Sequence, residues 1–203
     1  VRFEPINAKL LPSNYVKSLF QDSEGYIWVA TSSGLVRYDG HNTKSFTECM
    51  DEYSFIHELV EDCDSRLILA TDNGLMWMDK NTGTTESFVT DSPLSCLAVD
   101  RKLNVWAGGE DGLFCRQVGE SEFIQVDVRA QGQDVKGIID VMADSNGNIW
   151  LTTWQKGLYV YNPTTGHTQV FKNGLLAYSY IIYQDSSGSA HGVMVCSGFQ
   201  MIS

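Results

Sequence analysis

The sequence predicts an all-β chain, a β-propeller of about five four-stranded blades with the fifth incomplete, and three observations carry that prediction. A cassette opening as Phe20-Gln21-Asp22-Ser23-Glu24-Gly25-Tyr26-Ile27-Trp28 and closing as Thr31-Ser32-Ser33-Gly34-Leu35-Val36-Arg37-Tyr38-Asp39 returns along the chain. Its anchor aspartates, Asp22, Asp62, Asp100, Asp144 and Asp185, recur at a period of about 40 residues, the length of a propeller blade. Between them run short stretches of alternating apolar and polar residues bounded by Gly, Asp and Asn, the signature of half-buried strands and tight turns, with no persuasive helical pattern.

Each copy reads as four strands. In the first, Val16 to Phe20 alternates, and Asp22-x-x-Gly25 is a turn in which Gly supplies a positive φ and Asp bonds its own backbone. Strand two runs from Tyr26 to Ala30, and Thr31-x-x-Gly34 turns the chain into strand three, Leu35 to Tyr38. The outermost strand is expected to be half-exposed and to carry Phe46, with Phe88, Phe123 and Phe171 as its copies. The blades so defined span residues 14–46, 54–88, 93–123, 134–171 and 179–203, all within one domain.

Trp28, Trp106 and Trp150 hold the same cassette position, so packing between blades explains them better than a sugar-stacking platform would. Gly34, Gly74, Gly112 and Gly157 close the second turn. Copies depart from the pattern: Ile68 replaces Trp in the second, Lys102-Leu103 falls where the turn Gly belongs in the third, and the fifth puts His191 at the Trp position. Val1 to Ile6 reads as a lone strand that completes a last blade. It either closes the ring or belongs with absent blades of a larger, seven-bladed type of propeller, and an open array would then associate through its uncovered faces. The chain opens without an initiator Met, as a processed product would. The longest connection, Asp127 to Asp134, holds Arg129-Ala130-Gln131-Gly132-Gln133, a polar excursion where a function-bearing loop would be placed.

A formal net charge of −11 disfavours nucleic acid and anionic membranes as partners. No apolar run approaches the roughly 18 residues of a membrane span, so direct membrane insertion of this segment is not expected. Five cysteines at wide spacing form neither a zinc pattern nor a dense disulfide framework. Cys96 and Cys115 fall on strands one and three of one blade, about 9–10 Å apart and too far for a bridge.

The cassette Asp-x-x-Gly-x-Ile-Trp-x-x-Thr-x-x-Gly-Leu-x-x-Tyr-Asp, preceded by Leu11-Pro12-Ser13-Asn14-Tyr15-Val16, resembles the two-component-regulator propeller repeat. That resemblance implies the N-terminal part of the periplasmic sensor of a hybrid two-component system, a hybrid histidine kinase of the inner membrane. It implies detection of oligosaccharides from glycan breakdown, signal transduction to the transcription of utilisation genes, and the rest of the sensor and a homodimer as partners. The chain itself is then no enzyme. Two other functions fit a propeller: a scaffold for protein interaction without a ligand of its own, and a hydrolase or lyase with its site at the mouth of the channel.

Asp144-Ser145-Asn146-Gly147-Asn148 has alternating oxygen-bearing residues, yet Gly147 is fourth and Ile149-Trp150 follows at once, which fails the calcium-loop spacing. His41, His57, His167 and His191 show no metal or triad pattern, and no phosphate loop precedes a helix. No catalytic residue, metal or cofactor is therefore expected. Ligand-binding candidates come from the face bearing the turns between strands two and three: Trp154, Lys156, Glu110, Asp111 and Asp72, with Asn14 on a connection of the same side. Trp77 and Trp154 are unmatched in the other copies, and an exposed Trp at that turn would offer a flat apolar surface.

Overall fold

The structure, a computed structural model, describes residues 11–46, 55–88, 93–154, 157–171, 180–184 and 190–194. It divides into two compact units, 1–89 and 90–203. The first unit holds one antiparallel sheet of β1 (Val16–Gln21), β2 (Ile27–Thr31), β3 (Gly34–Tyr38) and β4 (Thr43–Ser45), and a second of β5 (Ile56–Glu61), β6 (Leu67–Thr71), β7 (Gly74–Met78) and β8 (Thr85–Ser87). The second unit holds β9 (Leu94–Val99), β10 (Val105–Gly109), β11 (Gly112–Arg116) and β12 (Ile124–Val126), then a hairpin of β13 (Arg129–Ala130) and β14 (Gln133–Asp134). A further sheet of β15 (Ile138–Ala143), β16 (Ile149–Thr153), β17 (Gly157–Asn162) and β18 (His167–Phe171) follows, and last a pair, β19 (Tyr180–Gln184) and β20 (Ala190–Met194). Each four-stranded sheet is ordered as in the chain, which is the blade of a β-propeller, and no helix occurs among the described residues.

The anchor aspartate does more than shape a turn. In the first blade Asp22 Oδ1 accepts the backbone N–H groups of Glu24 and Tyr26, and Oδ2 accepts the indole N–H of Trp28 at 2.8 Å. Asp100 accepts Trp106 Nε1 at 3.0 Å and Asp144 accepts Trp150 Nε1 at 2.9 Å. One carboxylate thus fixes the turn and latches strand two, which explains why Asp and Trp stand six residues apart. Burial alone would raise the Asp144 carboxyl, but the hydrogen bonds from Trp150, Asn148 and Asn146 more than offset it and hold it below the ordinary value. The Asp144 segment is therefore a turn whose carboxylate oxygens are engaged by protein donors.

The turn position itself is left-handed in every described copy. Gly25 (φ 89°) and Gly147 (φ 82°) occupy it in two blades, while Ser65 (φ 59°) and Leu103 (φ 64°) hold the same conformation in the others. At the second turn, Thr31 Oγ1 and Thr71 Oγ1 each donate to a glycine carbonyl at 2.9 Å, Gly34 and Gly74 respectively. Gly109 replaces that Thr in the third blade because a Cβ there would lie 2.1 Å from the Pro93 carbonyl.

Within the first unit, one face of the first blade packs on the second: Trp28, Ala30, Leu35 and Phe46 meet Ile56, Leu59, Leu69 and Met76. A polar clasp borders this contact. Lys80, 4% exposed, reaches Glu61 at 2.6 Å, Glu24 at 2.8 Å and Asp22 at 3.6 Å. Burial pulls its ammonium down, but hydrogen bonds to Glu24 and Glu61 and the charges of Glu61 and Asp22 win and raise it above the ordinary lysine value. Within the second unit, Trp106 and Leu113 of one blade meet Ile138, Val141, Leu151 and Tyr161 of the next. Gly108 permits that approach, since a Cβ would lie 2.5 Å from Ile138 Cγ2 and 2.8 Å from Val141 Cγ2.

Four features depart from expectation. Phe123 precedes β12 and is not the fourth-strand residue; Leu113 pairs with Val126, just as Leu158 pairs with Phe171, so Val126 takes that place. Phe46 is 3% exposed although β4 itself is not buried, because its ring turns back to Trp28, centroid to centroid 5.2 Å. Trp28 and Trp106 are buried, whereas Trp150 is only partly so. The excursion after Asp127 is no irregular loop but a hairpin, turned by Gln131 (φ 55°) and Gly132 (φ 79°). His191 does take the Trp position, pairing with Tyr183 as Trp150 pairs with Met142. Val1 to Ile6, and with it ring closure, lies outside the described residues, as does Asp185.

Candidate functional site

In the first, second and fourth blades the turn between strands two and three is tied to the connection that precedes its blade. Ser32 N–H donates to the Tyr15 carbonyl at 3.0 Å and Asp72 N–H to that of Phe55 at 3.2 Å. In the second unit the ties form a ladder: Gly137 N–H donates to Glu110 O at 2.9 Å, and Trp154 N–H donates to Gly137 O at 2.8 Å. The rim face expected from the repeat is therefore built in each unit. It assembles Glu110, Asp111 and Trp154 around the connection at Gly137, and leaves Asp72 and Asn14 on the rim of the first unit.

Trp154 is 53% exposed, so its ring is available to solvent while its backbone is fixed. Glu110, Asp111, Asp72 and Asn14 are all exposed. Asp72 Oδ1 lies 2.5 Å from His57 Nε2, an ion pair whenever the imidazole is protonated. Lys156 lies outside the described residues. Trp77 packs on Phe88, centroids 3.7 Å apart, beneath the Arg66 guanidinium at 4.5 Å.

Sequence reasoning placed a function-bearing loop at 129–134 but missed the residues that complete it. The hairpin inserts Val128, Ala130 and Val135 into the core of the second unit, and its polar side walls a cleft of about 300 Å³ with Asp111, Gln125, Asp127, Arg129, Asp134 and Lys136 in the lining. Arg129 Nε ties Asp127 at 2.8 Å and Asp134 at 3.3 Å. Gln125 and Lys136 carried no sequence signal, because neither recurs in the repeat. Burial first, and then the charge of Asp100, push the Cys115 thiol up to about 12, and Cys96 is a buried thiol bonded to the Gly108 carbonyl.

Residues 10–33 match the family model described as Two component regulator propeller. No curated protein matches the chain. Among solved structures, the extracellular domain described as that of the hybrid two component system BT4673 from B. thetaiotaomicron superposes with a TM-score of 0.76 at 23% identity, over 93% of this chain and 26% of that one. The corresponding domain of BT3049 from the same organism gives 0.74 at 17% identity, over 98% and 29%. Virginiamycin B lyase from Staphylococcus aureus gives 0.70 at 13% identity, over 95% and 71%. At these identities the chain shares with them the propeller fold. The chain spans between a quarter and a third of the two-component domains it resembles.

Proposed function

We propose that this chain is the extracytoplasmic ligand-sensing portion of a hybrid two-component sensor kinase, exposed to the periplasm, where it binds oligosaccharides derived from glycan breakdown. The observation that supports this reading best is the backbone ladder from Glu110 through Gly137 to Trp154, which ties a tryptophan with an exposed ring to an acidic turn. An indole face stacks on the apolar face of a sugar ring, and carboxylates accept its hydroxyls. Occupancy of the rim would then bias the rest of the sensor towards one state, in the parent protein and its dimer, and so regulate the genes that use the glycan.

Calorimetric titration of the chain with neutral and acidic oligosaccharides tests the reading. Binding is expected, and Trp154→Ala should weaken it about tenfold or more. A chain that binds no glycan of either kind, or binds equally well without Trp154, overturns the assignment of this rim.

A further inference from the structure

We propose that the cleft beneath the 127–136 hairpin is a binding subsite for the end of a neutral, hydroxyl-rich ligand, and that it rejects uronates. The proposal rests on the oligosaccharide reading above and adds a place and a charge preference to it. The hairpin is a rigid wall: Val128, Ala130 and Val135 anchor it in the core, and Val135 N–H donates to the Val128 carbonyl at 2.9 Å. Arg129 is held across its neck by Asp127 and Asp134, so its charge is spent on the wall itself. On the facing side, the amide N–H of Gln125 donates to the Asp111 carbonyl at 3.0 Å and fixes the turn.

Between these walls one pair is left open. Lys136 Nζ and Asp111 Oδ1 stand 3.9 Å apart, both about half-exposed, too far for a hydrogen bond and suited to a bridging oxygen. A hydroxyl fits that gap in both roles: its proton goes to Asp111 and its lone pair accepts from Lys136. A carboxylate can accept from Lys136 but has no proton for Asp111. It would also enter a cleft lined by three carboxylates, Asp111, Asp127 and Asp134, against two cations, Arg129 and Lys136. A volume of about 300 Å³ is at the small end for ligand sites, which suits one end of a chain rather than a whole oligosaccharide. Trp154 N–H is tied to the carbonyl of Gly137, the residue after Lys136 of the cleft lining.

The test is calorimetry of the intact chain with neutral gluco-, xylo- and manno-oligosaccharides of two to six units and with oligogalacturonates. A neutral oligosaccharide should bind, Asp111→Asn and Lys136→Ala should each weaken it about tenfold or more, and oligogalacturonates should bind at least tenfold more weakly. The variants are at exposed positions, so melting curves should match the parent. If Trp154→Ala abolishes binding while Asp111→Asn and Lys136→Ala leave it unchanged, the cleft is refuted and the rim reading stands. Preferential binding of oligogalacturonates likewise overturns the cleft's charge preference alone. If no glycan binds, both readings fall.

Discussion

The first and second blades reach the same packing by different residues. In the first, Trp28 sits on β2 opposite Arg37, whose guanidinium lies over Tyr26 at 4.4 Å and within 5.7 Å of the indole. In the second, Ile68 takes the Trp position, Trp77 stands opposite it, and Arg66 replaces Tyr26; Arg66 Nη2 donates to Asp62 Oδ2 at 3.1 Å and covers the Trp77 ring. Aspartate, guanidinium, indole and a Phe at the fourth strand are present in both, but Trp has moved to the third strand and Arg to the turn before the second. What the repeat keeps is the set of interacting groups, and their positions permute. The innermost strands differ in another way. Leu59 on β5 is 2% exposed, with Leu97 at 2% and Val141 at 4% in the same place, whereas Leu19 on β1 is 66% exposed.

The largest break in this comparison is Trp28→Ala. It removes a fully buried indole and leaves Asp22 without that donor, so thermal denaturation should show a loss of about 3–5 kcal/mol. A near-neutral shift would mean that the latch and the core behind it carry no stability. Next comes the strand pair: Leu59→Ala should cost about 2–5 kcal/mol, as core truncations do, while Leu19→Ala should stay within about 0.5 kcal/mol. Equal costs would show that the Leu19 face is covered in solution. The sharpest version is a transplant. Ile68→Trp alone overfills a site where Ile68 is 0% exposed and Trp77 already packs, at a cost of about 1–3 kcal/mol. Combining it with Arg66→Tyr and Trp77→Arg restores the first-blade set, and the triple variant should recover most of the loss, a non-additivity measurable by chemical denaturation.

The blade fold was legible because its signals are local and repeated: turn aspartates, turn glycines and alternation all agree at each copy. The Asp22–Trp28 hydrogen bond was half legible, since the spacing was visible but a side-chain partner for the second carboxylate oxygen was not. Phe123 misled because an aromatic immediately before β12 mimics the fourth-strand residue when register is read from type alone. Lys80 gave no sign of its role, as a lysine following Asp79 reads as an exposed turn residue until the neighbouring blade brings Asp22 and Glu24 against it. The rim could be read from the repeat's geometry, which named Glu110, Asp111 and Trp154. Of the cleft only the excursion with Arg129 could, because Gln125 and Lys136 join it through a connection that breaks the period.

The six-residue reach of the Asp–Trp latch bears on how the chain acquires its structure. Contacts between residues close in sequence cost little loop entropy to form, so a turn, its latch and the two strands it joins can assemble before any neighbour exists. The inter-blade layer then adds stepwise, each finished sheet templating the next, and folding can keep pace with synthesis from the ribosome. On this account the same locality makes the architecture easy to extend by duplication, since a copied segment brings its own closure with it.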